Sequence, residues 1–238
     1  MLQTRVRNQL LLRFTTKDSE ALAPHLKPVH LSLKQELITP GEPISHVYFV
    51  ESGIVSLVAA ADGAEAIETA VIGREGMTDH VLEVGDSSAL RCLVQLEGSA
   101  LAIEARHYVS WIAERPAALH VVARYLQFMA VQMAYTALSH GSFNIEQRLA
   151  RWLLMCFDRS DGEDLPFVHE FMSLMLGVRR SGVTTALHVI EGHGAVRATR
   201  GHVKLRDRAM LESLTAGSYG VPEREYQRLL GPLNSAGQ

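Results

Sequence analysis

The sequence predicts an α+β protein in which a β jelly roll, a long helix and a winged helix-turn-helix follow one another along 238 residues. Residues 26–103 contain short β-branched runs interrupted at close intervals by Gly, Pro, Asp and Ser, a pattern typical of a sandwich or jelly roll. After Pro116, apolar residues recur at spacings of three and four, which predicts a helix. Residues 141–212 combine helical patterns with glycine turns and clustered arginines, as a helix-turn-helix does.

Turn-forming pairs divide the first region into predicted strands. Pro40-Gly41 and Ser52-Gly53 predict turns on either side of a short apolar run. Asp62-Gly63 predicts a hairpin, because both residues tolerate positive φ. Glu97-Gly98 predicts a turn between two strands within residues 94–103.

The composition is that of a soluble globular protein, with 47% hydrophobic and 21% charged residues and a net charge of −3. Cys92 and Cys156 are too few for an iron–sulfur cluster or an all-cysteine zinc site, and we expect both to be reduced core residues of a cytoplasmic protein. The N-terminus lacks the pattern of a signal peptide. The apolar stretch at residues 117–138 contains Arg124, which at a bilayer centre costs about 2.5–3.5 kcal/mol, so no membrane span is expected.

The predicted long helix carries an apolar seam of the coiled-coil type over nearly three heptads. Val121, Tyr125 and Phe128 add a second apolar flank. One flank can pack on the chain's own barrel and the other on a partner helix, so we favour a dimer seam over a single buried helix. The predicted seam consists of Leu119, Val122, Leu126, Met129, Met133 and Thr136.

The stretch LMLGVRRSGVTTAL, residues 174–187, has the pattern of a helix-turn-helix. Gly177 can adopt the left-handed conformation of the turn, and Ser173, four residues earlier, is small enough for close approach of two helices. Apolar residues before and after the turn are expected to close a small core: Met172, Leu176, Val178, Val183, Leu187 and Ile190.

The opposite face of the second helix carries residues suited to DNA. Arg179 and Arg180 stand in the first helical turn, where the helix dipole favours anions rather than cations. A DNA phosphate is such an anion, and arginine also reads guanine bidentately. Gly182 inside the helix indicates close approach to another backbone, its own or that of DNA. The predicted DNA-binding residues are Arg179, Arg180, Ser181, Thr184, Thr185 and His188 on the helix, with Arg200 and Lys204 on a two-stranded wing within residues 194–207.

The charge of this part of the chain agrees with that prediction. Between residues 177 and 208, seven basic residues against two acidic ones give a net charge of +5 in a chain of net charge −3. Such polarisation suits the neutralisation of phosphates. The alternative is a solvated basic face on a structural helical domain.

In this order, the predicted parts resemble the catabolite activator protein/Fnr (Crp/Fnr) family of transcription regulators over residues 26–211. PGEPISHVYFVESGIVSLV is similar to the first barrel hairpins, GREGMTDHVLEVGDSSALRCLVQLEG to the phosphate-binding cassette, and NIEQRLARWLL to the helix that opens the DNA-binding domain. The resemblance implies a cyclic-nucleotide-binding-like effector domain at residues 1–115, a dimerisation helix at 116–140, a winged helix-turn-helix at 141–212 and a C-terminal tail at 213–238, expected to be a short helix with a frayed end.

The resemblance also implies partners and site residues. It implies a homodimer on a two-fold-symmetric DNA site, with RNA polymerase as a further partner and a barrel ligand that shifts the dimer between two states. Arg180 matches the family's base-reading arginine, whereas Ser181 replaces the acidic cytosine reader, so the family's usual operator is not expected.

The cassette departs from the pattern of the members that bind cyclic nucleotides. It keeps Gly73, Glu75, Gly76, Ser88 and Ala89, but Ser87 occupies the place of the phosphate-binding arginine. A buried phosphate without a cationic partner is strongly disfavoured. Arg91, on the same side as residue 87 of a regular strand, and Arg74 are the candidate substitutes. We therefore expect a degenerate effector pocket formed by Glu75, Gly76, Ser87, Ser88, Ala89 and Arg91, for which cyclic AMP or GMP is a doubtful ligand.

Other functions are weighed against the same residues. A haem sensor would need an axial ligand such as His80 or Cys92. The eleven histidines show no close ligand pairing, so no metal is expected, and no motif of an enzyme occurs. The alternatives to a degenerate regulator are a true cyclic-nucleotide-responsive regulator and a ligand-sensing module whose helical domain contacts protein.

Overall fold

The computed structural model describes residues 6–61, 66–166 and 169–232. The strands are β1 (Lys27–Leu31), β2 (Glu36–Ile38), β3 (His46–Ala59), β4 (Ile67–Ile72), β5 (Arg91–Glu104), β6 (Asp164–Leu165), β7 (Val196–Thr199) and β8 (His202–Leu205). The helices are α1 (Thr16–Leu22), α2 (Ala105–Ala113), α3 (Pro116–Ser142), α4 (Ile145–Arg159), α5 (His169–Leu176), α6 (Arg180–Gly192), α7 (Arg208–Ser213) and α8 (Val221–Leu230). The hairpin predicted at Asp62-Gly63 lies outside the described residues.

The first region is an antiparallel β-roll with the strand order β1-β5-β3-β4, in which β2 also pairs with β5. Pro40-Gly41 forms the predicted turn, and Gly41 has a φ of +79°. The turns predicted at Ser52-Gly53 and Glu97-Gly98 are wrong, because β3 and β5 each continue through these positions as strands of 14 residues.

The two glycine-containing pairs instead bend these long strands where they face each other. The pairing register of β3 and β5 shifts between Val50 and Val55. Gly53 has a φ of +84°, and a Cβ added to Gly98 would lie 2.1 Å from the carbonyl oxygen of Ser52. Only residues without a Cβ permit this approach, so the glycines mark bulges rather than strand ends.

The long helix α3 has 27 residues and contains Pro116 in its first turn, close to the predicted bounds. Its inner face, which includes Val122, Tyr125, Phe128 and Met129, is buried in the hydrophobic cluster of the barrel. Within the described parts of the chain, no helix combines the length and the apolar character needed to cross a bilayer.

The third region is a winged helical domain. A capping box formed by Asn144 and Gln147 starts α4, and Gly177 separates α5 from α6. The predicted wing is present as the pair β7–β8. A third strand joins the wing, since Asp164 and Leu165 of β6 pair with β8.

The C-terminal segment forms the helix α8, as predicted, but this helix is packed on the protein. Tyr226 and Leu230, one helical turn apart, are buried in the hydrophobic cluster of the barrel and α3. A second cluster fills the winged domain and also includes Ile54 and Val71 of the barrel. The barrel and the winged domain therefore pack directly against each other.

Candidate DNA-binding surface

The pair α5–α6 has the geometry that a helix-turn-helix needs. Gly177 adopts a φ of +59°, the left-handed conformation expected of the turn. The backbone N–H of Val178 then donates to the carbonyl oxygen of Ser173 at 3.1 Å, which closes the end of α5. The predicted small core is confirmed: Val178 is half-buried and the other members, Met172, Leu176, Val183, Leu187 and Ile190, are buried.

The face of α6 opposite this core is open to solvent. Of the six helix residues predicted to contact DNA, Thr184 is half-buried and the other five, Arg179, Arg180, Ser181, Thr185 and His188, are exposed. Arg179 is the N-cap residue, and no side chain caps the helix there. The free N–H groups and positive dipole of the first turn thus lie beside two guanidinium groups, an arrangement that attracts phosphate.

The structure explains why a glycine stands at position 182 inside α6, which the sequence left open. A Cβ at this position would lie 3.3 Å from Cδ1 of Ile145 at the start of α4. The close approach within the chain is therefore to a side chain of α4, and not to another backbone segment as predicted.

The wing extends the basic surface beyond α6. Arg200 at its tip and Lys204 on β8 are exposed, as is Arg197 on β7. Arg197 lies directly opposite Lys204 in the pairing register. Like charges in this position destabilise a strand pair, and a bound anion relieves the repulsion. Sequence reasoning counted Arg197 in the local charge but did not assign it to the site. The signal was the alternation of Arg197 and Thr199 with the apolar Val196 and Ala198, which places Arg197 on the outer side of β7.

One residue of the +5 segment has a different role. Arg208 donates to Asp158 at 2.7 Å and to Glu212 at 2.8 Å, so its charge is neutralised within the domain. Burial disfavours the charged guanidinium, but the adjacent Asp158 outweighs this effect and raises the pKa of Arg208.

Comparison with known proteins agrees with this geometry. A sequence profile of the Crp-like helix-turn-helix domain matches residues 147–214. Beyond that domain, the cyclic AMP receptor protein of Thermus thermophilus is 28% identical over 207 residues, which cover 82% of this chain and 95% of that protein. The chain therefore contains a Crp-like helix-turn-helix domain and is similar to a Crp-type regulator over most of its length. It is a DNA-binding transcription regulator with a cyclic-nucleotide-binding-like β-roll.

Solved structures of other proteins share the fold. FixK2 of Bradyrhizobium japonicum superposes with a TM-score of 0.68 at 15% identity, covering 79% of this chain and 96% of its own. A Crp-family transcriptional regulator of Thermus thermophilus superposes with a TM-score of 0.64 at 21% identity, covering 79% and 97% of the two chains. At these identities the likeness concerns the fold alone.

The start of the family's cassette is occupied by groups of this chain. The Glu75 carboxylate, 1% exposed, accepts a hydrogen bond of 2.6 Å from Nε of Arg159 in α4. Arg74 donates to Asp161 at 2.7 Å. A Cβ on Gly76 would lie 2.2 Å from the hydroxyl of Tyr125 in α3, and this hydroxyl donates to the carbonyl oxygen of Met77 at 3.0 Å.

The remaining residues predicted to form the effector pocket do not converge on these groups. Ser87 and Ala89 are exposed and Ser88 is half-buried, all three before β5 begins. The argument that Arg91 shares a side with Ser87 is therefore wrong, because these residues do not belong to one regular strand. Arg91 instead donates to Glu36 at 3.1 Å on the exposed surface.

The two residues considered as haem ligands have protein surroundings of their own. Nδ1 of His80 lies 2.7 Å from the hydroxyl of Tyr108, and Cys92 is fully buried. Burial raises the pKa of the Cys92 thiol, which keeps it protonated.

The predicted dimer seam requires a correction. Leu119 and Leu126 are exposed and Met133 is half-buried, but Val122, Met129 and Thr136 are buried within the chain, the first two against the barrel. The open side of α3 is reached by steps of four instead of three from Leu119, Leu126 and Met133. This side, called the outer seam below, consists of the exposed Leu119, Ala123, Leu126, Ala130 and Ala137 and the half-buried Met133.

A buried carboxylate that sequence reasoning missed joins the barrel to the winged domain. Glu68 of β4 accepts hydrogen bonds from Nε1 of Trp152 in α4 at 2.8 Å and from Ser56 at 2.6 Å. Burial raises the pKa of Glu68 to about 7. Burial, together with the nearby Arg148 and Arg151, lowers the pKa of His140 at the end of α3 to about 4. The sequence signal that could have found Glu68 was a carboxylate within the apolar strand IETAVI.

Proposed function

We propose that this regulator binds a specific, two-fold-symmetric DNA site as a homodimer and that its barrel does not take a cyclic nucleotide in the usual way. The observation that carries the proposal is the exposed first turn of α6, with Arg179 and Arg180 beside free backbone N–H groups. Arg200, Lys204 and Arg197 of the wing supply further phosphate contacts. The domain division at residues 1–115, 116–140 and 141–212 belongs to this proposal, as does RNA polymerase as a partner.

Sequence-specific binding is tested with duplexes selected by the wild-type protein from a random library. Arg180→Ala is expected to relax the preference at one position in each half-site, which corresponds to about 1–3 kcal/mol. Arg197→Ala is expected to weaken all duplexes equally and to reduce the salt slope by about 1. Arg106→Ala, which removes an exposed arginine of α2 paired with Glu104, is the control. If wild-type protein enriches no sequence, or if Arg180→Ala leaves every preference intact, the proposed reading role is wrong.

The outer seam supports the homodimer. Leu and Met at one heptad position alternate with Ala at the other, so two copies of α3 can approach closely along an apolar face. Ala130→Glu brings two carboxylates together at such a seam and is expected to give monomers in analytical ultracentrifugation. Ala117→Glu, an exposed position of the same helix off the seam, should leave the dimer intact. A dimer that persists in Ala130→Glu would place the interface elsewhere.

The departure from cyclic nucleotides rests on the occupied cassette. Glu75 is bound by Arg159, Tyr125 covers Gly76, and the candidate cations Arg74 and Arg91 pair with carboxylates. Calorimetric titration with cyclic AMP and cyclic GMP is expected to give no binding heat, and neither nucleotide should change the affinity for the selected duplex. Micromolar binding with a change in DNA affinity would instead support a cyclic-nucleotide-responsive regulator.

A further inference from the structure

The C-terminal segment beyond the winged domain contacts the barrel, α3 and the winged domain. We call residues 215–232 the strap. It begins after the residues that match the Crp-like domain and contains α8. Its contacts bear on how the winged domain is oriented, a role that neither the relatives nor the sequence pattern indicates.

The strap is attached to the barrel and α3 through Tyr226. This side chain is 1% exposed, and its ring packs edge-on against Phe128 of α3 with centroids 5.0 Å apart. Its hydroxyl donates to the carbonyl oxygen of Glu75 in the cassette at 3.2 Å. Further along, Arg13 donates to the carbonyl oxygen of Pro232 at 2.7 Å.

The other end of the strap is attached to the winged domain. Nε of Arg151 in α4 donates to the carbonyl oxygen of Ser218 at 3.2 Å. The hydroxyl of Tyr219 donates to Asp158 at the end of α4 and accepts a hydrogen bond of 2.8 Å from Arg208 of α7. Burial raises the pKa of Tyr219, so this hydroxyl stays protonated and can donate at neutral pH.

These contacts leave the DNA-reading face free. Helix α6 packs mainly on α4, α5 and β7, and its arginines are exposed. The strap holds the winged domain by α4 and α7 instead. It can therefore restrict the orientation of the domain relative to α3 without covering the residues that face DNA.

We propose that the strap positions the winged domain, with Tyr219 and Tyr226 as positioning residues, so that both recognition helices of a dimer meet their half-sites without an effector. This inference rests on the proposed DNA-binding homodimer with an occupied cassette. A domain free to rotate presents the binding-competent orientation for only a fraction of the time, and the apparent affinity falls by that fraction. The strap raises the fraction by intramolecular contacts.

The test compares a duplex that contains the whole selected site with one that contains a single half-site. Tyr219→Phe combined with Tyr226→Phe removes two hydroxyls and keeps both rings in place. The loss of the three hydrogen bonds that these hydroxyls make is expected to weaken binding to the whole site on the order of tenfold, while binding to the half-site is unchanged. Arg228→Ala, which removes an exposed arginine paired with Glu225 of its own helix, should change neither affinity.

Two results would overturn the inference. An equal loss on both duplexes would mean that the strap stabilises the fold of the winged domain, and no loss on the whole site would mean that the strap does not position it. Absence of any selected sequence would refute the proposed function instead.

A fluorescence measurement made without DNA tests positioning by the strap even if the proposed DNA-binding function is wrong. Energy transfer is measured between two fluorophores attached to the variant Leu33→Cys, Thr199→Cys, one on the barrel and one on the wing. Both positions are exposed, whereas the natural cysteines are buried. With labelled chains diluted into unlabelled protein, the distance distribution should be narrow and should broaden in the Tyr219→Phe, Tyr226→Phe variant. An unchanged distribution would refute positioning by the strap.

Discussion

The ion pair between Glu75 and Arg159 is expected to be one of the most sensitive points of the molecule. The side chains are 1% and 6% exposed, and Nε lies 2.6 Å from Oε1. Arg159→Met leaves the carboxylate buried and unpaired, which costs about 3–5 kcal/mol. For a chain of this size, each kcal/mol lowers Tm by roughly 2–4 °C, so a loss of roughly 6–20 °C is expected.

The reasoning requires that the two charges depend on each other. The double variant Glu75→Gln, Arg159→Met removes both charges and should recover much of the lost stability, because no buried charge is left unpaired and the amide oxygen can still accept from the Gly73 N–H. Calorimetry of the wild type, both single variants and the double variant gives the coupling energy. Arg228→Met, which breaks the exposed pair with Glu225, should leave the free energy of unfolding nearly unchanged. Additive losses in the double variant would refute the coupling.

Three further predictions concern the buried Glu68 and two glycines, Gly98 and Gly141. Glu68 has a pKa of about 7 in the folded protein against an ordinary 4.5. The unfolded chain therefore loses this proton at a lower pH than the folded protein does. The free energy of unfolding falls as pH rises from 4.5 to 7, by at most about 3 kcal/mol. Glu68→Gln should remove that part of the pH dependence in urea unfolding between pH 5 and pH 8, and an unchanged slope would contradict the burial argument. Gly98→Ala should destabilise the barrel by more than 2 kcal/mol, on the order of a core defect, because its Cβ would meet the Ser52 carbonyl at 2.1 Å. Gly141→Ala in α3, where a Cβ meets nothing within 4 Å, should stabilise the protein by up to about 1 kcal/mol in the same measurement.

The helix-turn-helix could be predicted because its constraints are local. Gly177 must accept positive φ, and Val183, Leu187 and Ile190 lie on one stripe of a helix whatever surrounds it. The remaining residues of α6, most of them polar or basic, therefore had to face outward. The strands at Ser52-Gly53 and Glu97-Gly98 were predicted less well, because glycine has the same preferences in a turn and in a bulge.

The seam shows where local patterns are insufficient. From Leu119, a step of three reaches Val122 and a step of four reaches Ala123, and both continue as heptads. The larger side chains at Val122 and Met129 favoured the first register, but these residues bury against the barrel. The exposed register contains alanines, whose small size gives little hydrophobic signal.

The sequence by itself determined the elements whose residues interact within a few positions: the helix-turn-helix, the wing pair, the start of α3 and the basic charge of the winged domain. Only the tertiary structure decided which face of α3 remains open, that Arg159 neutralises Glu75, and that Tyr226 joins α8 to the cassette. The residues of these contacts lie 84 and 151 positions apart. A periodic pattern in the sequence cannot indicate a contact between residues so far apart. Such a contact depends on how whole elements pack rather than on the conformation of any one of them.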